Sequence, residues 1–319
     1  MLECAPGLYN FMYQIAARSG NSASNAKYVL FKTMQHHMRD LFDRYKPDLV
    51  IVTHPFPCGA AARIRRNGGW ATPLAAVVTD FSFHDMWFFH EVDEYFVATE
   101  DLYQAFTAKG MSSRRIHITG IPVKSEFGQN KDATIIRPRW GLRGDKPLVL
   151  LMGGGLGLGY IEEALVNLDK IDQQIQVVVV AGKNNSLFNS LLNIASQMRQ
   201  SVKVLGFVDK IPELMAISDV LITKPGGLTI SEAMAIGLPM VFYKSLPGQE
   251  EDNSHYMVSR EIALAASSPS LLVKTLNRLL SHPQELHNLR ERCRQLGRPH
   301  SSEHIVNIIN SRLGPFASD

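Results

Sequence analysis

The sequence predicts two doubly wound α/β domains in one chain. Apolar segments of strand length alternate with segments of helical period in both halves of its 319 residues. A polar, basic stretch at 124–146 separates the two series. Such alternation implies parallel strands covered by helices, and open sheets of this kind bind ligands at the carboxyl ends of their strands. We therefore expect the domains to face each other across a cleft that holds the site.

The first series of elements begins with a helix predicted at 26–45. Its apolar residues recur at helical spacing, and Pro47 ends it. Four strand candidates follow, each a short apolar run: Asp48–Thr53, Leu74–Thr79, Tyr95–Ala98 and Ile116–Thr119.

The second series of elements begins with the apolar run Pro147–Met152. Three helices are predicted after Pro269. With the polar stretch as the connection, we predict one domain at 1–133 and a second at 134–319. The further strands of the second domain are predicted at Ile175–Ala181, Val202–Leu205, Val220–Thr223 and Pro239–Phe242.

Composition limits the class of protein. Hydrophobic residues make up 45% and charged residues 20%, as in ordinary globular proteins. A net charge of +3 is too small to predict nucleic-acid binding. The three cysteines have neither disulfide nor zinc spacing. Since no apolar run approaches the roughly 20 residues of a spanning helix, we expect a protein of the cytosol or of a membrane surface.

The segment Ile222–Pro239 is the most informative part of the sequence. A strand ends at Thr223, a Pro-Gly-Gly turn follows, and a helix is predicted to start near Leu228. The first amides of a helix have no partner inside it and attract anions. We therefore predict that a diphosphate binds at Gly226, Gly227, Leu228 and Thr229, with Glu232 accepting hydrogen bonds from ribose hydroxyls.

The same residues have an alternative interpretation. Thr229 and Glu232 fit a capping box, in which Thr229 is the N-cap residue and Glu232 bonds back to it. An isolated T-x-x-E is more often a cap than a binding site. The glycine turn at a strand end favours binding, and the two roles are partly compatible.

Two further segments carry candidate donor residues. Gly154 and Gly155 belong to a glycine-rich loop after the strand Pro147–Met152, a position that often touches phosphates but is a weak signal alone. Gln249, Glu250 and Asn253 follow the strand Pro239–Phe242 and are able to hold sugar hydroxyls. The alternative for them is a solvated turn that caps the next helix.

The first half offers two candidate catalytic residues. His54 and Asp80 each follow a predicted strand, so they should lie at one edge of the sheet and share general-base work. Alternatively, His54 bonds the turn at Pro55 and Asp80 caps its loop.

The aromatic segment Phe81–Phe89 is either core or a lip that faces lipid. The basic residues that could meet anionic headgroups, or simply be solvated helix ends, are Arg63, Arg65, Arg66, Arg114 and Arg115.

Taken together, these segments resemble the family of monogalactosyldiacylglycerol synthases and processive diacylglycerol glucosyltransferases, which is related to the lipid II N-acetylglucosaminyltransferase. Each motif alone is weak, but their order and spacing extend over nearly the whole chain. The matching stretches are THPFP (53–57), VVTDF (77–81), YFVATE (95–100), TGIPV (119–123), LLMGGGLGLG (150–159), GFVDKIPELM (206–215), TKPGGLTISEA (223–233) and PGQEEDN (247–253).

The resemblance implies a GT-B fold with an N-terminal acceptor domain and a C-terminal UDP-sugar domain. It implies transfer of glucose or galactose from UDP-glucose or UDP-galactose to diacylglycerol, with inversion, at the cytoplasmic face of the cell membrane. The protein would be peripheral and would meet an anionic membrane surface. The resemblance also implies contact of uracil with the backbone of Phe207 and Val208, and of the donor sugar with Gln249 and Glu250; Asn253 is a looser match.

Two expectations concern what the sequence lacks. Family members begin with a strand, a GxGH loop and a helix, and Met1 falls after that unit, so we expect this unit to be missing. No Asp-x-Asp motif occurs, so we expect no metal site and assign charge neutralisation to the helix amides. The alternatives are transfer of N-acetylglucosamine to a polyprenyl-linked acceptor, an inactive UDP-sugar-binding protein, and a UDP-sugar epimerase.

Overall fold

The computed structural model describes residues 34–153, 160–245 and 247–313. Contacts divide the chain into two compact units. The first combines residues up to Ile121 with those from Ser301 onward, and the second runs from Pro122 to His300. Each unit contains one parallel sheet covered by helices.

The first unit has a four-stranded sheet of order β1-β2-β3-β4. The strands are β1 (Val50–Val52), β2 (Leu74–Val77), β3 (Glu94–Val97) and β4 (Ile116–Ile118). The helices are α1 (34–45 of the described residues), α2 (Pro55–Arg66), α3 (Glu100–Ala108) and α12 (Ser301–Leu313), with 3-10 turns at Asp85–Trp87 and Ser113–Arg115.

The predicted strands of this unit are confirmed within two residues at most ends. Both central strands are buried along their whole length, which explains the continuous apolar sequence of β2, while β3 begins with the buried Glu94. The edge strand β1 differs, because Ile51 is 47% exposed. The predicted helix at 26–45 is confirmed over 34–45, and its first part lies outside the described residues.

The last helix, α12, packs on the sheet of the first unit. Ile305 and Ile309 join a buried cluster with Val77 and Phe96. The Arg312 guanidinium donates to a carboxylate oxygen of Glu94 at 3.0 Å. The predicted division at 133/134 had assigned this helix to the second domain. Periodicity identifies a helix and its apolar face, but not the sheet against which that face packs.

The second unit has a six-stranded sheet of order β10-β9-β8-β5-β6-β7. The chain starts in β5 at the centre and later continues outward from β8, so the switch in strand order lies between β5 and β8. The strands are β5 (Leu148–Met152), β6 (Gln176–Val180), β7 (Ser201–Leu205), β8 (Val220–Thr223), β9 (Met240–Tyr243) and β10 (Ala263–Ala266).

The helices of the second unit alternate with its strands. They are α4 (Ala133–Arg139), α5 (Ile161–Leu168), α6 (Asn185–Ala195), α7 (Ile211–Ile217), α8 (Gly227–Ile236), α9 (Gln249–Ser259), α10 (Pro269–Ser281) and α11 (Pro283–Leu296), with a 3-10 turn at Ser125–Gly128.

Two elements of this unit escaped the sequence analysis. The stretch predicted as an aperiodic connection contains α4, whose N-cap Asp132 accepts the Thr134 amide. Only Ile136 of that helix is buried, so it shows no apolar stripe. The strand β10 was also missed, because its small alanine-rich segment has no β-branched residues.

Candidate functional site

The turn between β8 and α8 presents unpaired backbone amides at the carboxyl edge of the second sheet. The first bond inside α8 runs from the Ile230 amide to the Gly226 carbonyl oxygen at 3.0 Å. The amides of Gly227, Leu228 and Thr229 therefore have no partner inside the helix. A Cβ atom at Gly226 would meet open space, and Leu228 is 57% exposed. The arrangement suits an anion, which the helix dipole also attracts.

The capping-box interpretation of this helix is wrong. Gly226 is the N-cap residue, and it makes no side-chain cap bond. Thr229 lies in the first turn of the helix instead of before it, and Glu232 lies in the second. Neither side chain therefore occupies an end of the helix that it would cap.

Glu232 is a largely buried carboxyl group on α8. Burial raises the pKa of this carboxyl to about 7, against an opposing effect of the Lys124 charge. Within the described residues, no hydrogen bond to this carboxyl is seen. An acid whose charge is disfavoured and whose acceptors are unused is suited to bind hydroxyl donors, as a ribose diol would supply.

The start of α9 is joined to the β8–α8 turn. Lys224 Nζ lies 2.7 Å from Glu250 Oε1. The Asn253 side-chain amide donates to the Pro225 carbonyl oxygen at 3.2 Å, and Asn253 is fully buried. The solvated-turn alternative therefore fails for Asn253. Gln249 is the first residue of the helix, so the three candidate residues lie on one element beside the predicted anion site.

A small cavity lies beside this turn, with about 20 Å³ of space for water. Its polar lining includes the buried hydroxyl of Tyr243, which lies close to the Glu163 carboxylate. Burial raises the pKa of this phenol, so it stays a neutral donor. The lining residues at strand ends or directly after them are Met152, Gly153, Thr223, Lys224 and Tyr243, and Tyr160 contributes from the start of α5. Gly154 and Gly155, predicted to touch phosphate, lie outside the described residues.

A second lysine follows β9. Lys244 has a left-handed backbone, with φ of 50°, and its Nζ lies 2.5 Å from Glu163 Oε2. The same ammonium lies 4.6 Å from the ring centroid of Tyr160. Neither Lys224 nor Lys244 was among the residues predicted for the site. Their positions were the available signal. Lys224 directly follows the predicted strand Val220–Thr223, and Lys244 lies two residues after the predicted strand Pro239–Phe242.

The predicted base-binding residues follow β7. Phe207 is 58% exposed, and Lys183 Nζ lies 5.3 Å from its ring centroid. Lys183 itself follows the neighbouring strand β6. The exposed ring and the backbone of Val208 thus lie at the same edge of the sheet as the anion site, and uracil binding there stays a prediction.

His54 and Asp80 follow adjacent strands of the first unit, as predicted. The Thr79 hydroxyl donates to the Thr53 carbonyl oxygen at 3.3 Å, which ties these strand ends together. His54 Nδ1 accepts the Phe56 amide at 3.3 Å as the N-cap of α2, and burial lowers the pKa of the imidazole.

Asp80 is buried, at 1% exposure, and its carboxylate accepts the Trp87 indole N–H at 2.7 Å. These bonds favour the structural alternatives for both His54 and Asp80. Their catalytic roles stay predictions.

The candidate membrane-contacting segments are mostly occupied by local contacts. In the aromatic segment, Trp87 is fully buried and Phe81 nearly so, which favours core over a lipid-facing lip. Arg65 pairs with Asp93 at 2.5 Å and Arg66 with Glu91 at 2.5 Å. Arg115 donates to the His90 carbonyl oxygen at 3.1 Å, and Arg114 is exposed.

Two general features are absent from the described residues. In 34–153, 160–245 and 247–313, no helix is long and apolar enough to cross a membrane. Over the same ranges, no three His, Cys, Asp or Glu side chains gather as a metal ion would require.

Two family models match the chain, one in each half. The model described as Monogalactosyldiacylglycerol (MGDG) synthase matches residues 1–123. The model described as Glycosyl transferases group 1 matches residues 132–298.

Curated relatives carry one recurrent name. The processive diacylglycerol beta-glucosyltransferase of Bacillus subtilis (strain 168) is 36% identical over 282 residues, which cover 88% of this chain and 73% of that protein. The protein of the same name from Bacillus cytotoxicus is 34% identical over 273 residues, which cover 85% and 70%.

Solved structures share the fold at low identity. MurG of Acinetobacter baumannii aligns with a TM-score of 0.64 at 17% identity, over 92% of this chain and 82% of that one. MnaA of S. aureus, determined with UDP, aligns with a TM-score of 0.67 at 16% identity, over 92% and 85%. The fold is therefore GT-B, and the chain belongs to the glycosyltransferase family that contains the processive diacylglycerol glucosyltransferases.

Proposed function

We propose that this chain transfers a hexose from a UDP-sugar to diacylglycerol, with inversion at the sugar carbon. The observation that carries the proposal is the exposed amino end of α8, where the amides of Gly227, Leu228 and Thr229 have no partner inside the helix. Membership in a diacylglycerol glycosyltransferase family supports the choice of donor and acceptor.

Each donor-side group has a distinct role in this proposal. The α8 amides hold the diphosphate and stabilise the charge that develops on it as the sugar bond breaks. Glu232 accepts hydrogen bonds from the ribose hydroxyls. Gln249 and Glu250 hold the sugar, and the backbone of Phe207 and Val208 meets uracil. Preorganised amides need no rearrangement during the reaction, so they are effective without a cation at this position.

The acceptor side is proposed in less detail. An acceptor hydroxyl needs a base, and we assign this role to His54, whose lowered pKa keeps the imidazole neutral and able to take a proton at neutral pH. We assign Asp80 an orienting role there. Because diacylglycerol stays in a bilayer and UDP-sugars are cytoplasmic, we propose that the protein acts at the cytoplasmic membrane surface.

The experiment is sugar transfer with radiolabelled donors. The chain is incubated with UDP-glucose or UDP-galactose and with vesicles that contain diacylglycerol or a polyprenyl-linked sugar. We expect labelled glycolipid only with diacylglycerol, and the donor that is consumed decides between glucose and galactose. Label on the polyprenyl acceptor, or conversion of the UDP-sugar without any acceptor, would replace the proposal with the corresponding alternative.

Nucleotide binding is tested separately by calorimetry with UDP. The variant Gly227→Asp places a carboxylate at the amino end of α8 and should abolish the binding heat. A chain that binds UDP but transfers no sugar is an inactive UDP-sugar-binding protein. Sedimentation with vesicles of anionic or of neutral lipid tests whether the chain prefers an anionic membrane surface. Equal binding to both kinds of vesicle would exclude that preference.

A further inference from the structure

Lys224 has no role in the function proposed above, yet it joins the two turns that carry the donor residues. It directly follows β8, and its Nζ donates to Glu250 Oε1 at 2.7 Å. The pair is mostly shielded, with side chains 28% and 17% exposed. Solvent and salt screen a shielded pair less than a surface pair, so this contact fixes the position of the Glu250 carboxylate.

A second contact makes the junction rigid. The buried Asn253 side chain donates to the Pro225 carbonyl oxygen at 3.2 Å. Asn253 lies one turn after Glu250 on α9, and Pro225 directly follows Lys224. Two bonds from adjacent positions therefore hold the first turn of α9 against the β8–α8 turn, and only one of them involves charge.

The charges at this junction explain why a cation is needed. The first turn of α9 carries three acidic residues, Glu250, Glu251 and Asp252. Helix α8, at whose amino end the diphosphate is proposed to bind, begins three residues after Lys224. Like charges repel strongly at short range in a partly shielded site. Without its ion pair with Lys224, the Glu250 carboxylate would therefore be displaced by its acidic neighbours from the position at which it can meet a sugar.

We propose that Lys224 is a positioning residue for the donor sugar: its ion pair orients the Glu250 carboxylate toward the sugar hydroxyls. This inference rests on the proposed function. A carboxylate has about four acceptor positions, so the ion pair leaves capacity for a sugar hydroxyl. Because Lys224 acts through Glu250, it affects recognition of the sugar and not of UDP.

The experiment compares Lys224→Met, Lys224→Arg, Glu250→Gln and the double variant Lys224→Met/Glu250→Gln. Affinity for UDP and for UDP-glucose is measured by calorimetry, and KM and kcat by sugar transfer. Lys274→Met, on the exposed surface of α10, is the matched control for loss of a lysine. Melting temperatures of all variants separate a site effect from misfolding.

We expect Lys224→Met to raise KM and Kd for UDP-glucose about tenfold or more, as for a lost hydrogen bond to a charged group. Its affinity for UDP should stay within about threefold. Lys224→Arg should restore most of the loss. In the Glu250→Gln background, Lys224→Met should have little additional effect, since residues that act as a unit are not additive.

Three results would overturn the positioning role. Equal losses of UDP and UDP-glucose affinity would show that Lys224 binds the phosphate directly or only supports the fold. An undiminished effect in the Glu250→Gln background would show that Lys224 does not act through that carboxylate. Unchanged kinetics in Lys224→Met would show that it has no role. A wild-type chain that binds no UDP-sugar would refute the proposed function itself, and the positioning role with it.

Discussion

Glu232 should make the affinity for UDP-glucose depend on pH. The carboxyl group has a pKa of about 7 without ligand because it is buried. A ribose diol donates two hydrogen bonds, so it binds the ionised form. With a pKa of 7, about a tenth of the carboxyl groups are ionised at pH 6 and about nine tenths at pH 8. If binding lowers the pKa well below 6, affinity should therefore fall about tenfold between pH 8 and pH 6.

The assay is calorimetry with UDP-glucose at pH 6, 7 and 8. UDP-glucose is a suitable ligand because its diphosphate has no group that titrates in this range, whereas the terminal phosphate of UDP does (about pKa 6, as for phosphate monoesters). Repeating the titration at pH 7 in buffers of different ionisation enthalpy should show release of about half a proton per bound ligand, since about half of the carboxyl groups are protonated at that pH.

Glu232→Gln is the control for this prediction. It should bind UDP-glucose more weakly than the wild type at pH 8, and its affinity should be flat between pH 6 and pH 8. It should also be more stable at pH 8: the raised pKa of Glu232 means that stability from this group is present below pH 4.5 and is lost as pH rises toward 7. A flat wild-type profile, or the same slope in Glu232→Gln, would refute the assignment of Glu232 to the ribose.

Three further predictions concern the supporting structure. Ile309→Asp should destabilise the first unit by about 3–5 kcal/mol, because it puts a charge into the cluster under α12, whereas Val306→Asp on the exposed face should be nearly neutral; chemical denaturation measures both. Gly297→Ala should cost about 1–3 kcal/mol, because its Cβ would lie 2.3 Å from a backbone oxygen of α8, and an unchanged melting temperature would contradict this packing. Trp87→Phe removes a donor from the Asp80 carboxylate and should lower stability by about 1–3 kcal/mol with little change in kcat; if Asp80→Asn instead abolishes kcat without lowering the melting temperature, Asp80 is catalytic.

The alternation of strands and helices was predictable because burial on both faces of a parallel sheet gives each strand a continuous apolar run. The strands Leu148–Met152 and Gln176–Val180 are buried at every position and were predicted within a residue or two. Elements with little apolar sequence were not predictable, as for α4 and β10. The packing of α12 on the first sheet also escaped prediction, because it depends on contacts with residues some 200 positions earlier.

The donor site was predictable where chemistry depends on the backbone and less so where it depends on pairs of side chains. The glycine turn before α8 predicted where the helix presents its first amides, because these follow from helix geometry alone, and anion binding there stays a prediction. Distance in sequence concealed the pairing of Lys224 with Glu250, which spans 26 positions. Sequence order likewise could not show that His54 and Asp80 have local structural partners. His54 caps a helix, and the Asp80 carboxylate accepts a hydrogen bond from an indole.

The strand order of the second sheet explains why these distant residues meet. In the order β9-β8-β5, the strand that leads to the α8 amides lies between the strand that leads to Glu250 and the strand that leads to the glycine-rich loop. All three are parallel, so their carboxyl ends share one edge. The turns that follow β8 and β9 need only a few residues to reach each other, and the sheet sets the distance between them. Lys224, which directly follows β8, thus lies where its ammonium group can reach Glu250 on the helix that follows β9.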